Sequence, residues 1–371
     1  MSYYDKVCGS LIGGAAGDAL GYAVEFLKER EITARYGASG ISSYEYKGGI
    51  ARISDDTQMT LFTAQGLLRS PGTDISSYID SIRRMYICWF RTQTEPFSFE
   101  DTGAETYLMG IPALYEQRAP GGTCLSSLAD GGLGTLEHRI NDSKGCGGVM
   151  RVAPIGLFAG LELDDDDAAM LGASAAAITH THELGYIPAA AMVHIIRRLM
   201  RDDAGDGGAV PGADPGAGTD GTCEPASMLP VREAVVEAVA ACERLFEGAK
   251  HLDEFVAIMN ETVELAADKS VSDIDAIHRL GEGWVAEETL AIACYCAMRY
   301  EADRDFDSAL RASVNHKGDS DSTGAVTGNI MGAFVGFEAI PDKYKDGLEM
   351  YGLLLQTADE LCGEDNEGED I

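Results

Sequence analysis

No run in this sequence approaches the roughly 18 consecutive apolar residues that a membrane-spanning helix needs. The opening Met-Ser-Tyr-Tyr-Asp-Lys lacks the basic stretch and apolar core of a secretory signal. There is no C-x-x-C. The nine cysteines are scattered, Cys294 and Cys296 being the nearest pair, which fits reduced thiols better than a disulfide framework. Together these absences give the expectation of a soluble, cytoplasmic protein. Basic residues are scarce too: 28 Lys plus Arg face 61 Asp plus Glu, for a formal net charge of −33. Such a surface repels nucleic acid and anionic membranes, so neither is an expected partner. It repels phosphate-bearing molecules as well, so any phosphate pocket must be built locally from backbone N–H groups, cations or metals. Strand-like alternation is nearly missing, with Ile41–Tyr46 the weak exception. No long repeat is present, nor G-x-x-x-x-G-K-[ST], nor H-E-x-x-H.

What remains is helical. The chain has 371 residues, 45% of them hydrophobic, enough for one large domain or two modest ones. Ile79, Ile82, Tyr86 and Trp89 fall on one helical face; so do Met192, Ile195, Ile196 and Leu199, with Pro188 read as part of a first turn. Val235, Val239, Cys242 and Phe246 make a third stripe, and Leu290–Met298 is apolar nearly all round, as in a buried central helix. The fold class read from this is all-α. Two ladders of glycine stand out: Gly9, Gly13, Gly17 and Gly21, then Gly324, Gly328, Gly332 and Gly336. Glycine costs about 1 kcal/mol per helical position, so the ladders predict helices that approach each other, or a shared central helix, backbone to backbone. Residues 202–230 are rich in Gly, Pro and Asp and are expected to form a flexible insertion within a domain spanning 1–362. Residues 363–371 form an acidic tail.

Chemistry is concentrated in two acidic motifs, Ser54-Asp55-Asp56-Thr57 and Gly318-Asp319-Ser320-Asp321-Ser322-Thr323. Each sits at a helix start, where Ser and Asp also serve as ordinary N-caps. Brought together, however, their four carboxylates would repel one another and need cations. All-oxygen ligation suits Mg²⁺ or Mn²⁺ rather than zinc, which suggests a two-metal hydrolase. The second motif is no EF-hand: counted from Asp319, Ile330 stands where the bidentate Glu belongs. Asn141–Arg151 is a glycine-rich turn whose N–H groups, with Lys144 or Arg151, would suit an anion. His180 and His182 read as structural rather than metal-binding residues, with ligand contact the further reading for His180. Glu25 reads, on its own, as an exposed carboxylate at a helix end.

Taken in order, Gly17-Asp18-Ala19-Leu20-Gly21 with Glu25, Ser54–Met59, Gly145–Arg151, Thr179-His180 with Leu184-Gly185-Tyr186, Gly283–Glu288 and Gly318–Gly324 resemble the ADP-ribosylglycohydrolase family from about Val7 to Phe337. The resemblance implies a compact, orthogonal all-α single domain around a central cleft holding two Mg²⁺ or Mn²⁺ ions. Carried over by motif, the metal ligands are Ser54, Asp55, Asp56, Asp319, Asp321 and Ser322. Glu25 matches a mobile glutamate beside the scissile ribose; Glu25, Asp55 and Asp321 are the candidates for proton transfer. Ser143, Gly145, Cys146, Gly147 and Gly148 match the loop that cradles the diphosphate, with Cys146 where many relatives have Asn. His180 and Tyr186 match positions lining the ADP-ribose cleft. In the Pro96–Thr106 loop, Asp101 would suit a guanidinium acceptor if that loop faces the site, and is otherwise solvated. The implied activity is metal-dependent release of ADP-ribose from a protein or small-molecule conjugate, arginine being the first acceptor to test, by a protein expected to be monomeric. ADP-ribosyl-serine or another ADP-ribose derivative is the alternative acceptor class. A silent binding or structural relative and a two-metal phosphohydrolase are the rival classes.

Overall fold

Ser2 starts the first helix by accepting the Asp5 N–H on its side chain, and helices make up most of the described chain. The computed structural model describes residues 1–98, 105–201 and 230–363. Among them are α1 (Tyr3–Tyr22), α2 (Glu29–Tyr36), a two-stranded hairpin of β1 (Tyr46–Lys47) and β2 (Ile50–Ala51), α3 (Asp55–Leu68), α4 (Ile75–Thr94), α5 (Gly122–Ala129) and α6 (Ala153–Leu157). There follow α7 (Asp165–Ala177), α8 (Glu183–Met200), α9 (Val231–Leu245), α10 (Leu252–Ala267), α11 (Asp273–Leu280), α12 (Ala286–Tyr300), α13 (Phe306–Val314), α14 (Ser320–Val335) and α15 (Tyr351–Cys362). The strands are antiparallel, with Tyr46 opposite Ala51 and Lys47 opposite Ile50. No described helix is long and apolar enough to cross a membrane.

The apolar stripes become core faces. Ile82, Tyr86 and Trp89 of α4 are buried and Ile79 is half-buried; Met192, Ile195, Ile196 and Leu199 of α8 and every residue from Leu290 to Met298 in α12 are buried too. Two readings change. Helix α8 begins at Glu183, capped by the His182 side chain, so Pro188 lies inside the helix rather than in its first turn. Proline has no N–H, and the Leu184 carbonyl loses its i→i−4 partner. Of Ile41–Tyr46 only Tyr46 enters a strand. Ile41 instead exchanges hydrogen bonds with the Asn315 side chain, which replaces a ladder.

The glycine ladders explain where the site forms. A Cβ on Gly17 would stand 2.9 Å from the Ala325 N and closer still to the Gly324 carbonyl. A Cβ on Gly328 would meet the Gly14 N at 2.9 Å, and one on Gly332 the Ser10 Cα at 3.0 Å. Helices α1 and α14 therefore touch backbone to backbone along their length, as the ladders predict, although α15 follows α14. Gly336 closes the seam in another way: it is the C-cap of α14 at φ 83°, a conformation that favours glycine. The proposed 202–230 insertion lies outside the described residues except for Pro230, as does the acidic tail beyond Gly363.

Candidate active site

Both acidic motifs do begin helices. The Ser54 hydroxyl accepts the Asp56 N–H at 3.2 Å, and the Asp319 carboxylate accepts the Ser322 N–H at 3.3 Å. Capping accounts for Ser54 and Asp319 but not for Asp55, Asp56 and Asp321, which are buried rather than solvated. A residue on α1 joins the two motifs. The Asp18 carboxylate accepts the Ser54 N–H at 2.8 Å and the Thr57 N–H at 3.1 Å, and also takes the Thr57 hydroxyl. Asp18 thus fastens the start of α3 to α1. Since α1 is locked onto α14, the motifs converge.

They converge on a cavity of about 190 Å³. Glu25, Asp55, Asp56, Gly145, Cys146, Gly147, His180, Asp319, Asp321 and Ser322 line it. Glu25 descends from the turn after α1 and is buried, not exposed. One carboxylate oxygen each from Glu25, Asp319 and Asp321 lie within 4.8 Å of one another. Glu25 Oε2 and Asp56 Oδ2 are buried without a hydrogen-bond partner. Burial, then mutual repulsion with Asp321, lifts Asp18 to about 7 and Glu25 to about 10, and holds Asp55, Asp56 and Asp319 well above the usual carboxylate range. Burial raises Asp321 too. This cluster cannot ionise fully without added positive charge. Orphaned oxygens in an all-oxygen donor set fit hard divalent cations.

The remaining predicted residues divide. Ser54 and Gly148 are buried behind the lining, where a Cβ on Gly148 would meet the Gly185 carbonyl at 2.6 Å. Ser143 shares a 3.0 Å hydrogen bond with Thr123. Tyr186 is not among the lining residues; its ring packs on Phe246 at 5.9 Å. Asp101, with Glu100 and Thr102, lies outside the described residues. The anion reading of the glycine turn needs correcting in three places. The Cys146 N–H is taken by the Trp284 carbonyl at 3.2 Å, Lys144 is paired with Glu287, and Arg151 is buried away from the lining. Burial and the neighbouring Asp319 raise the Cys146 thiol well above its ordinary range, so it stays protonated.

Sequence reasoning missed four contributors: Asp18, the Ala119–Cys124 segment, Met150 and Trp284. The segment is positioned by the Gly121 N–H, which donates to Asp55 Oδ2 at 3.3 Å. Its Pro-Gly-Gly run was a visible signal of a tight backbone approach. Trp284 is 41% exposed at the cavity and stacks on Phe26, which is 71% exposed, with ring centroids 6.3 Å apart. Met150 stands in the Gly145–Arg151 motif, but nothing local showed that its side chain lines the cavity.

A model of the ADP-ribosylglycohydrolase family matches residues 1–370. An uncharacterized protein of Archaeoglobus fulgidus is 25% identical over 96% of both chains. The ADP-ribosyl-[dinitrogen reductase] glycohydrolase of Rhodospirillum rubrum is 23% identical over 94% of this chain and 92% of its own. Human ADP-ribosylhydrolase ARH3 is 27% identical over 56% of this chain and 55% of its own. The solved structure of an ADP-ribosylglycohydrolase-related protein complex superposes with a TM-score of 0.57 over 97% of this chain and 98% of that one, at 22% identity, a likeness of fold.

Proposed function

Since this chain belongs to the ADP-ribosylglycohydrolase family of hydrolases, we propose that it removes ADP-ribose from arginine side chains of modified proteins with the help of divalent cations. The observation that carries the reading is the buried cluster of Glu25, Asp55, Asp56, Asp319 and Asp321 around one cavity, with two orphaned carboxylate oxygens. Asp55, Asp56, Asp319 and Asp321, with Ser54 and Ser322 beside them, would hold two Mg²⁺ or Mn²⁺ ions. Such ions supply Lewis acidity, orient water and ribose hydroxyls, and offset the diphosphate charge.

The protein's own groups divide the remaining work. Loss of the acceptor leaves oxocarbenium character at the ribose, and a carboxylate-lined cavity stabilises that charge. Three carboxylates were candidates for moving the proton. Asp55 Oδ2 already accepts the Gly121 N–H, and Asp321 Oδ1 the Ser322 N–H. Glu25 Oε2 has no such partner, so Glu25 is the group free to exchange a proton with water or the leaving atom. One feature favours a guanidinium acceptor over a neutral one: the exposed Phe26–Trp284 pair at the cavity's edge offers ring faces to a cation. The described cysteines are all free, which supports a reducing compartment such as the cytoplasm. The family match along one chain supports a single domain over residues 1–362.

The test is side-by-side incubation with ADP-ribosyl-arginine and ADP-ribosyl-serine peptides, with and without chelator. Release of intact ADP-ribose from the arginine peptide, abolished by chelator, is expected. Preference for the serine peptide moves the acceptor. AMP as product replaces the glycohydrolase by a phosphohydrolase, and no turnover of either peptide leaves a silent relative.

A further inference from the structure

Arg151 belongs to the glycine-rich motif, yet the cavity does not explain it. Its side chain is fully buried, its guanidinium lies 4.1 Å from the centre of the Tyr86 ring, and among the described residues no carboxylate pairs with it. A buried, unpaired cation is costly, so its few partners carry meaning. One nitrogen, Nη2, donates to the Ala175 carbonyl at 3.1 Å and to the Thr179 hydroxyl oxygen at 2.7 Å. That oxygen lies 2.8 Å from His180 Nδ1. His180 in turn reaches the cavity, its ring edge against Gly145 and Gly147.

The direction of the Thr179–His180 hydrogen bond follows from counting partners. A hydroxyl has one hydrogen. On the Arg151 side the Thr179 oxygen is an acceptor, so its hydrogen turns elsewhere. Three neighbours remain: His180 Nδ1 at 2.8 Å, the Ala176 carbonyl at 3.4 Å, and the Cys124 sulfur, a weak acceptor that already takes Arg151 Nη1 at 3.5 Å. The Ala176 carbonyl already accepts the N–H groups of Thr179 and His180. Distance and occupancy both send the hydrogen to Nδ1. An Nδ1 that accepts leaves the neutral imidazole proton on Nε2.

We infer that Arg151 and Thr179 are positioning residues that fix His180 in its Nε2–H tautomer, so that it presents a hydrogen-bond donor to an anionic oxygen of the ligand beside the Gly145–Gly147 loop. The opposite tautomer would turn a lone pair toward that anion and the carboxylates. Burial, with Arg151 adding repulsion, lowers His180 to about 3, which keeps the ring neutral. The inference rests on the ADP-ribose reading only for the identity of the ligand; the tautomer is a property of the free protein.

The test is imidazole ¹⁵N NMR on the full-length protein, with His180 assigned by the loss of its signals in His180→Gln, alongside calorimetric titration with ADP-ribose. The wild type is expected to show Nε2–H. Thr179→Val, close to isosteric, should lose that tautomer's dominance and weaken ADP-ribose binding roughly tenfold. Thr179→Ser, which restores the hydroxyl, should recover both. A wild-type ring that is Nδ1–H or doubly protonated overturns the inference, as does a Thr179→Val protein that keeps both tautomer and affinity. A wild type that binds no ADP-ribose counts against the proposed function, while the tautomer comparison between wild type, Val and Ser still decides the relay.

Discussion

Substituting Gly17→Ala tests whether the seam between α1 and α14 builds the site. The added methyl would stand 2.9 Å from the Ala325 N and closer to the Gly324 carbonyl. Both are backbone atoms of a buried helix, so no rotamer change makes room and the helices must separate. Overpacking of this kind costs 1–3 kcal/mol, and backbone on the receiving side puts it at about 3 kcal/mol. An unfolding entropy of about 2.1 cal/mol/K per residue gives about 0.8 kcal/mol/K for 371 residues. The melting temperature should therefore fall by about 4 °C. Gly352→Ala is the control, since it lies in α15 with nothing within 4 Å of its added Cβ. There the substitution gains about 0.5–1 kcal/mol of helix preference and raises the midpoint by about 1 °C. Asp18 follows Gly17, so a displaced α1 withdraws its carboxylate from Ser54 and Thr57. Turnover should drop in Gly17→Ala and hold in Gly352→Ala. Scanning calorimetry and ADP-ribose release measure both. A Gly17→Ala protein that melts at or above the wild type, with full turnover, refutes the seam as the origin of the site.

Three further outcomes are expected. In metal-free protein the cluster's folded pKa values stand above those of the unfolded chain, so the stability these groups contribute is present in acid and lost as pH rises, through about 7 for Asp18. Chelated protein should melt lower at alkaline than at mildly acidic pH, and at alkaline pH each ion at a hundred times its dissociation constant should restore about 2.7 kcal/mol, or about 3.5 °C. Asp56→Asn should lose most of that recovery; a wild type indifferent to both cations removes the metal reading. Glu25→Gln should cut kcat by about 100-fold or more while circular dichroism stays that of the wild type, because Oε2 has no partner to lose; retained kcat assigns the proton to another group. Deleting Asp206–Asp220 should leave turnover within about twofold, and a complete loss would mean that this segment helps build the cleft.

Helices were read where a long one-sided or wholly apolar stretch marks the sequence, while the shorter one-sided helices α11 and α13 went unread. The stripe of Ile82, Tyr86 and Trp89 names the buried face of α4, and the apolar run in α12 names a central helix, because a 3.6-residue period leaves a mark in local sequence. Helix α8 was found but its start was misplaced. Its true cap is His182, an uncommon capping residue, and Pro188 offered a more familiar boundary. Ile41–Tyr46 had the composition of a strand, but only Tyr46 found a partner strand, which composition cannot supply.

The acidic motifs show the same limit from the other side. Ser54–Thr57 and Gly318–Thr323 announce their helix starts, since caps are local. That they share one cavity is a tertiary fact, and although Asp18 stands in the Gly17–Gly21 motif, nothing local shows that its carboxylate is spent on the backbone of α3. Yet the glycine ladders carried the missing distance. A Cβ on Gly21 would meet Asp321 Cα at 2.6 Å, so the seam ends where the second acidic motif begins. Glu25 lies four residues beyond Gly21, in the turn that closes α1, and that turn carries it to Asp321 and Asp319. The ladders and the carboxylates are therefore one design: the side chains that α1 and α14 give up along their length let the acids at their shared end meet.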